Sequence, residues 1–136
     1  MSGRIDEFLG LKTKVTGDEL IAWIRHEAAD RARTNVYHNN RPVGVVYTHP
    51  VLGKIFVTYR KRSEHVYEKW NSVGISRDVV VRIILMGVNK VIVLFTDTKE
   101  VYACEPSKFL EEGRTLWFKN ESDSQLHLPL SLLDRL

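Results

Sequence analysis

Leu20, Ile21, Trp23, Ile24, Ala28 and Ala32 recur at helical spacing, and this predicts an amphipathic helix over 17–33. Its other face carries Arg25, His26, Asp30, Arg31 and Arg33. Asp18 is the expected cap, with Glu19 in the first turn suiting the helix dipole. Ahead of it, Ile5, Phe8, Leu9 and Leu11 suit a short helix covering the core. Residues 34–35 and 38–42 are polar and read as loop. The period then changes. Residues 43–48 and 54–60 are short and β-branched, with turn chemistry in His49-Pro50-Val51-Leu52-Gly53, and predict an antiparallel hairpin. Ser63 opens an expected short helix through Val66, Tyr67 and Trp70, broken at 71–74.

Ser76 is a second cap candidate. The apolar run from Val79 to Met86 ends at Gly87 and reads as a helix buried on most sides. Residues 90–96 contain an unbroken Val-Ile-Val-Leu-Phe run, expected of a central strand covered on both faces. A turn at 97–99 leads to a strand over 100–104, then a helix over 106–112 ended by Gly113. Two more strands are expected at 116–119 and 125–130. In the second, Leu126, Leu128 and Leu130 share one face, and Pro129 argues for a sheet edge. Residues 131–136 close as one amphipathic turn. The two strands 54–60 and 90–96, joined through helices, suit a parallel pair with a right-handed crossover. The reading is an α/β domain, or an α+β one: a single domain over 1–136 with a mixed sheet flanked by helices.

Composition adds exclusions. The chain has 136 residues, 43% hydrophobic and 27% charged, a globular balance. No apolar window is long enough to span a membrane, and the first residues lack the layout of a signal peptide. The single cysteine, Cys104, excludes an internal disulfide and a multi-cysteine zinc site, and it reads as buried packing. A reducing, cytoplasmic setting is the corresponding expectation. No glycine loop for phosphates and no dinucleotide fingerprint occurs, so no cofactor is expected.

The net charge is +3, and its distribution matters more than its size. Residues 54–82 hold seven basic and three acidic side chains, whereas the flanking segments are close to balanced. The densest stretch is Tyr59-Arg60-Lys61-Arg62-Ser63-Glu64-His65-Val66-Tyr67-Glu68-Lys69-Trp70. Cationic groups pair with phosphates, aromatic faces stack on bases, and the backbone N–H groups at Ser63 offer an anion site. Lys54, Arg60, Lys61, Arg62, Lys69 and Arg77 are therefore the candidate nucleic-acid contacts. A solvated helix face over a core containing Tyr67 and Trp70 is the competing interpretation. His65 and Glu68 share a helical face, but the two-histidine pattern of a metalloprotease is missing, and no metal site is assigned.

A leading helix, a hairpin, a helical crossover, a buried strand and a further hairpin partner resemble the PD-(D/E)xK nuclease-like fold, over roughly residues 17–105. Lys90–Thr96, a turn, and Glu100–Phe109 with its Glu-Pro-Ser-Lys-Phe sequence carry the same likeness. The resemblance implies an acid after the hairpin turn and a Glu-x-Lys pair on the next strand, which together hold a divalent metal. This chain has His49-Pro50 at the turn and Thr58-Tyr59-Arg60 on the strand, and no carboxylate between Asp30 and Glu64. Only Arg60 matches, at the lysine position.

The expectation is a nucleic-acid-binding protein with a nuclease-like fold and a degenerate or altered catalytic site. One alternative is an active small nuclease working without metal, with His49, Arg60, Glu64 and His65 as candidate catalytic groups meeting at one end of the hairpin. Another is an oligomeric interaction or scaffold protein. DNA or RNA is the expected partner, and a homodimer is compatible with the size.

Overall fold

The computed structural model describes residues 14–28, 31–64, 71–117 and 124–136. Thr16, rather than Asp18, caps the first helix: its Oγ1 accepts the Glu19 N–H at 3.2 Å. Asp18 and Glu19 then lie in the first turn of α1 (Gly17–His26), next to the positive end of its dipole. The expected continuation to residue 33 does not form. Arg33 instead opens β1 (Arg33–His38), which pairs antiparallel with β2 (Arg41–His49). Only Val36 of β1 is buried, so its strand state comes from backbone pairing and not from an apolar pattern. Asn39 and Asn40 join the two strands with φ of 52° and 63°. Two left-handed residues in succession match the twist of a tight hairpin, and asparagine tolerates that conformation.

The expected hairpin of β2 with β3 (Gly53–Arg60) is present. Beyond it lies a 3₁₀ turn (Arg62–Glu64). The helix expected through Trp70 falls mostly on residues 65–70, outside the described residues. The segment expected as a break forms β4 (Ser72–Ser76), and Ser76 leads into α2 (Arg77–Leu85) as anticipated. There follow β5 (Lys90–Phe95), β6 (Val101–Cys104), α3 (Ser107–Glu112), β7 (Arg114–Trp117), β8 (Ser124–Pro129) and the short β9 (Asp134–Arg135).

The strands form two sheets, not one. The larger is mixed, in the order β1-β2-β3-β5-β6-β9, with β3 and β5 parallel. Every residue from Val91 to Phe95 is buried, as expected of a central strand. The smaller sheet is antiparallel, in the order β4-β8-β7. β8 is thus a middle strand. Pro129 is its last residue, opposite Ser72, so the missing N–H falls at the end of the ladder.

The large sheet has two apolar faces. On one, Ile55, Val57, Ile92 and Leu94 pack with Leu20 and Trp23 of α1. On the other, Phe56, Val91, Val93 and Phe95 meet Val79, Val80 and Ile83 of α2, Phe109 of α3, and the inner side chains of the small sheet. The architecture is therefore α/β, with α1 on one side and α2, α3 and the second sheet on the other. Contrary to expectation, α2 is one-sided: Val81, Ile84 and Leu85 are 41%, 36% and 81% exposed. The two sheets and Phe109 cover the face of Val79, Val80 and Ile83 only. No helix among the described residues is long and apolar enough to cross a membrane.

Candidate functional site

Strand alternation sends Phe56, Thr58 and Arg60 toward the second sheet, while Val57 faces α1. Phe56 is core. Thr58 is buried, and its Oγ1 accepts the Arg60 Nε–H at 3.3 Å. The Arg60 Nη2 donates to the Gly74 carbonyl of β4 at 2.9 Å. These two bonds hold the guanidinium where the large sheet meets the edge of the small one. A cleft of about 320 Å³ opens there, with His38, Thr58, Arg60, Ser76 and Gln125 among its polar lining. Among the described residues, no carboxylate lines it.

His127 lies beside the cleft. Gly74 and His127 are cross-strand partners, and a Cβ on Gly74 would stand 2.4 Å from the imidazole. Only glycine allows the ring to lie so close over β4. The His127 Nε2 is 3.2 Å from the Gln125 Oε1. Burial, and secondarily the Arg60 charge, push this imidazole below its ordinary pKa. On the other wall, the His38 Nδ1 is 3.7 Å from the Asp78 Oδ2.

His49 and Arg60, two of the four groups expected to meet, stand apart. His49 pairs with Gly53 at the start of β3, so it sits about 23 Å along the strand from Arg60. It is buried, 2% exposed, against Trp23 at a ring separation of 4.7 Å. Its Nδ1 accepts the N–H groups of Val51 and Leu52 at 3.0 and 3.1 Å, making it the organiser of the β2–β3 turn. Burial, followed by the Arg31 charge, lowers its pKa to about 4. Glu64 closes the 3₁₀ turn, and His65 lies outside the described residues.

The expected anion site at Ser63 is already filled. Asp97 accepts the Arg62 N–H at 2.8 Å and the Ser63 N–H at 2.9 Å, and these bonds hold its carboxyl at about 2. The candidate cations are likewise dispersed. Lys54 is at the far end of β3 and donates to the Met86 carbonyl at 2.8 Å. Arg62 stands 3.6 Å from Glu100 and lies over the Phe95 ring at 5.6 Å. Lys61 is exposed next to Arg60, and Arg77 is exposed beside the cleft residue Ser76. Lys69 lies outside the described residues. Tyr59 pairs with Tyr47, and burial, with that neighbour, pushes its phenol up to about 12. Cys104 is buried, which raises its thiol to about 11, as its packing role requires.

His38, Ser76, Gln125 and His127 are the site residues that pattern reading passed over. Gln125 and His127 alternate with buried Leu126 and Leu128, so their outward placement was readable. Their neighbour across the sheets was not, because it depends on how β4 meets β3. Among the described residues, no three of His, Cys, Asp and Glu converge to hold a metal ion. No protein-family model, curated protein or solved structure matches the chain.

Proposed function

We propose that this chain is a nucleic-acid-binding protein, with a nuclease-like framework that lacks a metal-binding carboxylate set, and that the cleft at Arg60 is its anion-binding centre. The observation that carries this reading is the cationic character of the cleft: a guanidinium fixed by two hydrogen bonds, two histidines close by, and no carboxylate among the described lining residues. A fixed planar cation suits a phosphate oxygen pair. The order α1, β1–β3, α2 and the parallel strand β5, interrupted by β4 of the second sheet, supports the nuclease-like framework. At the position of the Glu-x-Lys pair stand Thr58 and Arg60, which suit binding to a phosphate better than binding to a divalent metal.

The test is fluorescence anisotropy with labelled DNA and RNA across a salt series. Binding should weaken as salt rises, and Arg60→Gln and Lys61→Ala/Arg77→Ala should weaken it further. Salt-independent binding, or none, would leave the oligomeric scaffold reading in place. A second reading, cleavage without metal, is favoured by one observation: His38 and His127 flank Arg60, where a base, an acid and a phosphate anchor are needed. Its signature is RNA cleavage that survives EDTA and is lost in His38→Ala and His127→Ala.

A further inference from the structure

The outer face of the small sheet continues the chemistry of the cleft. Val73, Ile75, Leu126 and Leu128 are buried on its inner face against α2, so the residues between them point the other way. Those residues are Gly74 on β4 and Gln125 and His127 on β8. Register places Arg114 of β7 directly opposite His127, and paired residues share a face. Arg114 is exposed. Gly74 supplies no side chain between Arg60 and His127, and the ring of His127 fills the space a Cβ would take.

Arg60 at the end of β3, and His127 and Arg114 on the small sheet beyond the bare Gly74, therefore form a row leading out of the cleft. Neighbouring strands are about 4.8 Å apart, so the row is only a few side chains long and one residue wide. We infer that this row is the track of a single-stranded nucleic acid, with one phosphate at Arg60, the next toward Arg114, and a nucleotide unit seated in the cleft. This rests on the nucleic-acid reading above and adds the substrate class. A duplex presents phosphates on both sides of a major groove about 12 Å wide, and needs cations spread to match. Lys54, at the opposite end of β3, and Arg62, paired with Glu100, add nothing to that spread, and Lys61 and Arg77, exposed beside the cleft residues Arg60 and Ser76, add cations at the cleft end of the row. A cleft of about 320 Å³ between two sheets has room for one nucleotide and none for a double helix.

The experiment compares a labelled single-stranded 12-mer, as DNA and as RNA, with a blunt duplex of the same sequence at low salt. The probes are the wild-type chain, Arg114→Ala, His127→Gln, and Lys54→Ala as a control away from the row. Arg114 is exposed on a short edge strand, so its replacement leaves the fold intact, which circular dichroism checks. The expected result is single-strand binding at least about 10-fold tighter than duplex binding, the size of one charge-assisted contact. Arg114→Ala should weaken single-strand binding several-fold and lower its salt slope by about 0.7, with Lys54→Ala unchanged. Equal or tighter duplex binding, or a silent Arg114→Ala, overturns the single-strand track while leaving nucleic-acid binding standing. Absence of binding to every probe overturns both.

Discussion

At residue scale, two polar side chains hold turns rather than perform chemistry. His49 accepts two backbone N–H groups from a buried position, and its folded pKa of about 4 lies below the ordinary 6.5. Between these values the unfolded chain binds the extra proton more readily. Stability from this group is therefore complete above pH 6.5 and falls as the pH drops toward about 4, by at most about 3 kcal/mol. His127, also lowered, adds a change of the same sign. Urea unfolding between pH 4.5 and 7 should show the decline, and His49→Asn should flatten it, because the amide oxygen still accepts from the turn but does not titrate. His49→Leu leaves two half-buried donors without their acceptor and should cost about 1–2 kcal/mol at neutral pH. Asp97 runs the opposite way in charge but the same way in pH: its contribution is present above the ordinary carboxyl value of 3.8 and disappears as the pH falls through about 2.

At the scale of elements, β5 and the β1–β2 turn make contrasting demands. Val93 is fully buried in a strand paired on both sides. Val93→Asp places an uncompensated charge there and should abolish the cooperative unfolding transition seen in circular dichroism. The turn at Asn39 and Asn40 needs left-handed backbone at both positions, so replacement of either by alanine should cost about 1 kcal/mol, measured by thermal or urea unfolding. Gly44 is tighter still. A Cβ there would lie 2.5 Å from the Phe56 ring and 2.7 Å from the Val57 carbonyl, so Gly44→Ala should displace β2 from β3 and lower the melting temperature more than either turn variant. β1 was missed from the pattern because five of its six residues are not buried, whereas β5 was found because nearly all of it is.

At the scale of the molecule, the meeting of two sheets sets the electrostatics of the candidate site. His127 is faced by Arg60 from β3, by Arg114 from β7 and by Gln125 on its own strand, with Gly74 bare on β4. An anionic ligand in this row offsets the two arginine charges and favours the protonated imidazole. Affinity should therefore rise as pH falls from about 8 to 5.5, with one proton taken up at most by this group. Anisotropy titrations across that range check it: His127→Gln should remove most of the dependence, and a dependence that His127→Gln leaves untouched assigns the proton elsewhere. The cleft lining also predicts no EDTA-sensitive cleavage of DNA or RNA, since the described residues there supply no carboxylate donor for a two-carboxylate metal site.

Sequence alone determined the elements whose cause is local or periodic. The amphipathic face of α1, the buried run of β5, the hairpin of β2 and β3, the α2 entry at Ser76 and the parallel crossover all follow from side-chain period, turn chemistry and chain length. The cation at Arg60 was legible in the same way, as was the outward alternation of Gln125 and His127. Tertiary structure decided the rest. It divided the strands into two sheets, because β4 finds its partner in β8, about fifty residues further along the chain. It gave the N–H groups of Arg62 and Ser63 to Asp97, thirty-odd residues away. It separated His49 from Arg60 by placing them at opposite ends of the β2–β3 hairpin, and it brought His38 and His127 to Arg60 instead. A strand that owes its existence to a distant backbone partner, and a site assembled across two sheets, leave no period in the chain. The free energy that selects them lies in contacts that exist only once the fold is complete.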